Sequence, residues 1–249
     1  MVSGSQVNVK LFCVNSFREN CYLLWNEAGN CVIVDPGCYD GDEIRSVEEF
    51  VSSKGLTPKA IWLTHGHFDH LFGVAELSRT YGIPVYMSPE DRFILDLDGE
   101  FARGVGLAAP DVDFETVDLS DGQILRFAQD DKGVILNDSK DVILNDSEES
   151  PGFIVIATPG HTPGGVCFYS EEAKLLISGD TLFAGAIGRS DLVGGDYDEE
   201  IAGIMEKLMV LPGDVEVLPG HGPGSSIAVE RTTNPFLQPF NEPWEDEID

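Results

Sequence analysis

The chain has 249 residues, 42% of them hydrophobic, and sets 44 acidic against 15 basic side chains for a net charge of −29. A field of that sign repels polyphosphate and anionic bilayers, so neither nucleic acid nor a membrane is an expected partner. No apolar run reaches the ~18 residues that a membrane span needs, and residues 1–6 lack the basic start and apolar core of a secretory signal, so a cytoplasmic location is expected.

The length suits one globular domain over residues 1–249. Cys13, Cys21, Cys31, Cys38 and Cys167 form an odd set with no CxxC pair. Four of them fall in or beside predicted strands, where a reduced thiol packs like a small hydrophobe, and none is expected to bind metal.

In chain order, residues 7–14, 20–25 and 30–34 read as consecutive strands, with a turn at 27–30 between the last two. Asp35-Pro36-Gly37 ends the third strand. Asp35 serves there either as a turn former or as an acceptor for the outer N–H of a metal-bound histidine. Ile44, Val47, Phe50 and Val51 give residues 42–53 the spacing of an amphipathic helix. A strand at 59–63, a helix at 70–81 and a strand at 84–86 follow. Ser88-Pro89-Glu90-Asp91 starts another helix, with Ser as N-cap, Pro at the first position and acids in the first turn. Residues 98–113, rich in Gly, Ala and Pro, predict a loop near the mouth of a site. Strands resume at 114–117 and 123–127.

Residues 128–150 differ in kind. Val134-Ile-Leu-Asn-Asp-Ser-Lys-Asp141 is followed at once by Val142-Ile-Leu-Asn-Asp-Ser-Glu-Glu149, a tandem duplication too short for a solenoid. It reads as a loop insertion, which costs little because closure entropy grows slowly with length. Beyond it, strands are expected at 153–157, 165–169, 174–178 and 215–218, and helices at 198–209 and 226–233. The acidic tail at 241–249 is expected to fray.

The chemistry concentrates in Leu63-Thr-His65-Gly-His67-Phe-Asp69-His70-Leu-Phe-Gly73, which puts three imidazoles and a carboxylate within six positions and no cysteine among them. That donor set suits a borderline metal such as Zn²⁺ or Fe²⁺. In an extended segment His65 and His67 point the same way, because side chains alternate. Asp69 and His70, at the turn into the next helix, can face a second ion. The chain has only five histidines. The other two, His161 and His221, both lie in Pro-Gly-His turns after apolar runs.

Four motifs stand in order: His65-x-His67-x-Asp69-His70; Thr158-Pro-Gly-His161-Thr-Pro-Gly-Gly165; Ser178-Gly-Asp180-Thr-Leu-Phe183; and Pro219-Gly-His221-Gly222. Together they resemble the metallo-β-lactamase-fold hydrolases. Gly185-Ala-Ile-Gly-Arg189-Ser-Asp191 through Asp196, with Glu230-Arg231-x-x-Asn234-Pro-Phe236, is similar to the short glyoxalase II-like (hydroxyacylglutathione hydrolase-like) members without a C-terminal helical domain. The resemblance implies an α/β fold, an αββα sandwich of two mixed sheets packed face to face with helices outside. It puts His65, His67 and His161 on one divalent ion and Asp69, His70 and His221 on another, with Asp180 bridging. Zn is expected, with Fe or Mn as alternatives.

The implied activity is hydrolysis of a small-molecule thioester by a metal-bridging hydroxide. Asp69 and Asp180 are its catalytic carboxylates, because together they neutralise only half of the charge of two divalent ions. Arg189 is a candidate for holding an anionic part of the substrate through its planar fork, or else for pairing with Asp191 or Asp196. Fewer than thirty residues follow His221, and Arg231 is the single base among them, so recognition of glutathione itself is not implied. Other activities of the same fold stay open: a mononuclear-iron persulfide dioxygenase-like reaction, or a lactonase or β-lactamase.

Overall fold

In a computed structural model, which describes residues 7–127 and 151–238, the strands fall into two six-stranded sheets and one small hairpin. The duplicated segment within 128–150 and the acidic tail at 241–249 lie outside the described residues. The first sheet holds β1 (Asn8–Val14), β2 (Glu19–Trp25), β3 (Asn30–Val34), β4 (Thr57–Trp62), β5 (Val85–Met87) and β6 (Thr116–Asp118), side by side in that order. β1 to β3 pair antiparallel through short turns. From β3 onward the pairing is parallel. Parallel neighbours need long crossovers, and these are α1 (Gly41–Lys54), α2 (Val74–Tyr81) and α3 (Arg92–Gly104).

The second half supplies β7 (Ile124–Leu125), β8 (Phe153–Ala157), β9 (Val166–Ser170), β10 (Leu175–Gly179), the hairpin β11 (Leu182–Phe183) and β12 (Ala186–Ile187), then β13 (Glu216–Pro219) and β14 (Ser225–Ser226). The second sheet runs β14-β13-β10-β9-β8-β7. Its pairing is antiparallel except between β10 and β13, which α4 (Tyr197–Gly203) separates in the chain. The last helix is α5 (Ile227–Thr233).

The alternation of each strand decides the layering. Val32 and Val34 of β3, with Trp62 of β4, face Phe153, Phe168 and Ile177 of the second sheet in one buried cluster. Cys31 and Ile33, the intervening residues, face the other way, onto Ile44 and Val47 of α1 and Leu77 of α2. Leu176 and Val217 likewise turn outward to meet Ile201, Ile204 and Ile227. Three apolar layers thus hold four structural layers together, which is the expected αββα sandwich.

The boundaries depart from the expectations in identifiable places. The loop expected at 98–113 starts later, because α3 continues to Gly104. Phe93, Ile94, Leu97 and Phe101 keep the helical period through Gly99, so side-chain pattern overrides glycine's low propensity. The helix expected at 70–81 begins as a 3₁₀ turn at Phe68–His70 and becomes α-helical only at Val74. The helix expected at 198–209 is α only as far as Gly203, then π over Ile204–Leu208. All five cysteines are free, and four of them are buried. Among the described residues, no helix is long and apolar enough to cross a membrane.

Trp62 is the keystone between the sheets, with ring centroids 5.3 Å from Phe168, 5.5 Å from Phe153 and 6.3 Å from Phe127. Trp62→Ala should cost about 3–5 kcal/mol in unfolding free energy, read from the urea midpoint at unchanged slope.

Candidate metal centre

Each donor-bearing turn leaves the end of a strand on the same edge of the two sheets. β4 delivers His65 and His67, β8 leads to His161, β10 to Asp180 and β13 to His221. Backbone contact between the turns is close. Gly179 has φ +49°, and a β-carbon there would overlap the Thr64 side chain. A β-carbon at Gly220 would collide with the Asp180 carboxylate. Larger residues at these two points would push the turns apart, so the glycines are a condition of the site.

The expected donors converge into two groups. His65, His67 and His161 offer nitrogen atoms within 4.8 Å of one another, and so do the ligand atoms of Asp69, His70 and His221. Asp180 stands between the groups. Its Oδ1 is 3.5 Å from His70 Nε2, and its Oδ2 is 3.7 Å from His161 Nε2 and 3.5 Å from His221 Nε2. Asp69 Oδ2 lies 3.3 Å from His221 Nε2. His67 Nδ1 and His161 Nε2 approach to 2.9 Å.

The opposite edges of the imidazoles are held from behind. His161 Nδ1 meets the Arg189 carbonyl at 2.7 Å, and His221 Nδ1 meets the Phe17 carbonyl at 3.1 Å. Held there through Nδ1, both rings direct Nε2 inward. His70 Nδ1 lies 3.2 Å from Asp35 Oδ2. Thr64 Oγ1 donates to that same Asp35 oxygen at 2.6 Å and sits 3.0 Å from His65 Nδ1. Asp35 also has φ +46° at the end of β3, so it serves the turn and the histidines together. Asp35, His65 and His70 form a third compact donor group.

Several inward atoms lack a hydrogen bond within the protein. His65 Nε2, His70 Nε2 and Asp180 Oδ1 are buried without a hydrogen bond. Leaving such groups unmatched costs about 1–3 kcal/mol each, a cost that shared cation ligands avoid. Nitrogen and carboxylate donors without thiolate fit divalent zinc, iron or manganese. The electrostatics agree. Burial above all lowers His65 well below the ordinary imidazole range and takes His67 to about 3, with neighbouring imidazoles adding to both, so these two rings are neutral and ready to coordinate. At His70 burial acts the same way, but Asp180 and Asp69 outweigh it and raise the ring well above its usual value. Burial alone would raise Asp180, yet His70 and the other imidazoles hold it well below the usual carboxylate range. This pocket favours positive charge at its centre.

The Arg189 guanidinium bonds both oxygens of Asp191, at 2.7 and 2.9 Å, on the exposed surface. What Arg189 brings to the centre is its carbonyl, a contact that side-chain reasoning does not anticipate.

Asp91 is a second surprise. Read from sequence as one acid in a helical first turn, it is fully buried. It accepts from Gly66 N at 2.9 Å, Thr162 Oγ1 at 2.7 Å and Gly164 N at 2.5 Å. One carboxylate thereby ties the His65–His67 turn to the His161 turn. Its only signal in the sequence is that an acid follows Ser88-Pro89, which capping already explains. Glu200 is the third. It is buried, and burial pushes its carboxyl up to about 8, with the Gly188 amide opposing and the Asp180 charge adding.

A model of the Metallo-beta-lactamase superfamily matches residues 15–221. Hydroxyacylglutathione hydrolase GloC of Haemophilus influenzae is 33% identical over 235 residues, covering 93% of this chain and 98% of that protein. Among solved structures, TTHA1623 in a di-iron-bound form is 36% identical with a TM-score of 0.76, covering 92% of this chain and all of the other. BLEG-1, described as a B3 metallo-beta-lactamase, is 33% identical with a TM-score of 0.75, covering 92% of this chain and 99% of the other.

Asp91→Ala should lower metal affinity about 10- to 100-fold, the usual effect of losing a partner that orients ligands, as measured by chelator competition. Glu200 binds its proton more tightly when folded. The stability this adds is complete below about 4.5, the unfolded value, and is lost as pH rises through about 8. Glu200→Gln should therefore flatten the decline in urea midpoint between pH 5 and pH 8.5.

Proposed function

The chain belongs to the metallo-beta-lactamase superfamily, and we propose that it is a thioester hydrolase working with two divalent ions of zinc, iron or manganese. Membership of that superfamily and the Haemophilus relative support a hydrolase. The observation that carries the fuller reading is the convergence of all seven donors on two groups with Asp180 between them. The di-iron form of a relative 36% identical supports a two-ion centre, and the hydroxyacylglutathione hydrolase supports a thioester as substrate.

In this reading His65, His67 and His161 hold one ion, Asp69, His70 and His221 hold the other, and Asp180 is shared. When bound, the ions would supply Lewis acidity, lowering the pKa of a coordinated water and polarising an acyl carbonyl. The protein's own contribution is placement. The Arg189 and Phe17 carbonyls fix the rings of His161 and His221, Thr64 held by Asp35 meets His65, and Asp35 lies 3.2 Å from His70 Nδ1. Asp69 and Asp180 stay ionised. At Asp69, as at Asp180, burial works against this, but His70 and the hydrogen bond from His221 prevail.

A thiolate nucleophile is not available from Cys31 or Cys167, which burial raises to about 12 and about 11. The free thiols support a reducing compartment, and the net charge supports a small molecule over nucleic acid as partner. A second reading, β-lactam opening by the same centre, is favoured by the likeness to BLEG-1.

Metal-loaded protein with measured ion content should hydrolyse S-lactoylglutathione or another member of a thioester panel, with nitrocefin as the competing substrate. Asp180→Ala should lower kcat/KM by at least about 10³-fold, since it removes several kcal/mol of charge organisation, and should lower ion content. Near-normal turnover by that variant would overturn the two-ion reading; turnover of nitrocefin alone would replace the thioester.

A further inference from the structure

α3 carries an apolar stripe that its own fold leaves uncovered. Phe93, Leu97 and Phe101 recur every fourth residue, so they lie on one face of the helix, and they are 42%, 43% and 48% exposed. Scattered surface apolar residues need no explanation, but an aligned apolar row beside a functional centre does.

Both ends of the row touch segments that bear the donors. Phe101 stacks on Phe68, with centroids 6.5 Å apart, and Phe68 lies between His67 and Asp69 in the chain. Phe68 in turn packs edge-on to Phe17 at 5.2 Å, the residue whose carbonyl holds His221. At the other end Phe93 reaches Gly194, where an added β-carbon would sit 3.2 Å from its ring tip. Gly194 follows Arg189, whose carbonyl holds His161, by five residues. The row therefore spans the centre from the Asp69–His221 side to the His161 side. Of the nearby bases, Arg92 is paired with Asp118 and Arg189 with Asp191, and the Arg103 guanidinium lies by Gly99 on the same helix.

We infer that this face of α3 is the wall that receives an apolar acyl chain of the substrate, so that the preferred thioesters carry medium-length aliphatic or aromatic acyl groups. This rests on the thioesterase reading for its chemistry, though not for its binding site. A second copy of the chain is a poor occupant, since each copy brings a charge of −29. An anionic bilayer is a poor one for the same reason. A small neutral chain meets no such barrier and gains from leaving water, at up to about fourfold in affinity per methylene.

The S-octyl and S-methyl thioethers of N-acetylcysteamine, which cannot be hydrolysed, separate binding from turnover. Isothermal titration of the metal-loaded full chain should find the octyl ether bound at least tenfold tighter. That ratio should collapse to within about twofold in Leu97→Ser and, separately, in Phe101→Ser, both exposed positions that tolerate a polar residue. Across acetyl to octanoyl thioesters, kcat/KM should climb with chain length in the wild type alone. Equal binding of the two ethers overturns the inference, and so does a ratio that survives both substitutions. If sedimentation shows a dimer that Leu97→Ser dissolves while ether binding is unchanged, the stripe is a self-interface and the inference falls. Preferential ether binding without hydrolysis of any thioester would sink the thioesterase reading and leave the apolar wall standing.

Discussion

A buried carboxylate, Asp180, ringed by the imidazole nitrogens of His70, His161 and His221, is the constraint on which the rest of the molecule depends. Burial opposes charge on Asp180, which is ionised only because His70 and the other imidazoles offset that cost, and burial keeps His65 and His67 neutral. The arrangement becomes favourable only with positive charge at its centre. Supplying that charge from outside requires the protein to hold the donors rigidly in its absence. Much of the fold serves this purpose. Two sheets present their strand ends along one edge, glycines let the turns approach, and carbonyls and carboxylates hold the rings from behind.

The layered fold was legible through the four motifs, whose resemblance implied an αββα sandwich. The continuous apolar run Cys31–Val34 of β3 is buried on both faces, as an inner strand of such a sandwich requires. The candidate ligands were legible because the chain has so few histidines and places every one of them in a turn after an apolar run. Boundaries were less so. Gly99 suggested an early end to α3, but the Phe93–Leu97–Phe101 pattern carried the helix past it. The π segment at Ile204–Leu208 has no sequence sign at all, because helical periods of 3.6 and about 4.4 residues bury nearly the same side chains over so short a span.

What could not be read were roles that depend on the backbone or on burial at a distance. Arg189 drew notice as a base in an acidic chain, yet its guanidinium pairs with Asp191 and its carbonyl does the work of orienting His161. Any residue at that position offers a carbonyl, so side-chain identity carries no signal for it. Asp91 makes its three contacts with residues 25, 71 and 73 positions away in the chain. Nothing local distinguishes such an acid from a helix-capping one. Glu200 likewise sits among charged neighbours in α4 that look solvent-facing, and only the packing buries it.

The donors are also divided by chain order. His65, His67, Asp69 and His70 come from the first sheet's half of the molecule, and His161, Asp180 and His221 from the second. The Pro219–His221 turn is clasped by β2, where Asn20 N meets the Gly220 carbonyl at 2.8 Å and both Asn20 Nδ2 and Tyr22 Oη reach the Pro219 carbonyl. A polypeptide leaving the ribosome therefore has no complete centre until β13 and the turn after it have emerged and been captured by β2. A chain that ends before His221 carries at most six of the seven donors, so the complete set forms only through this long-range closure.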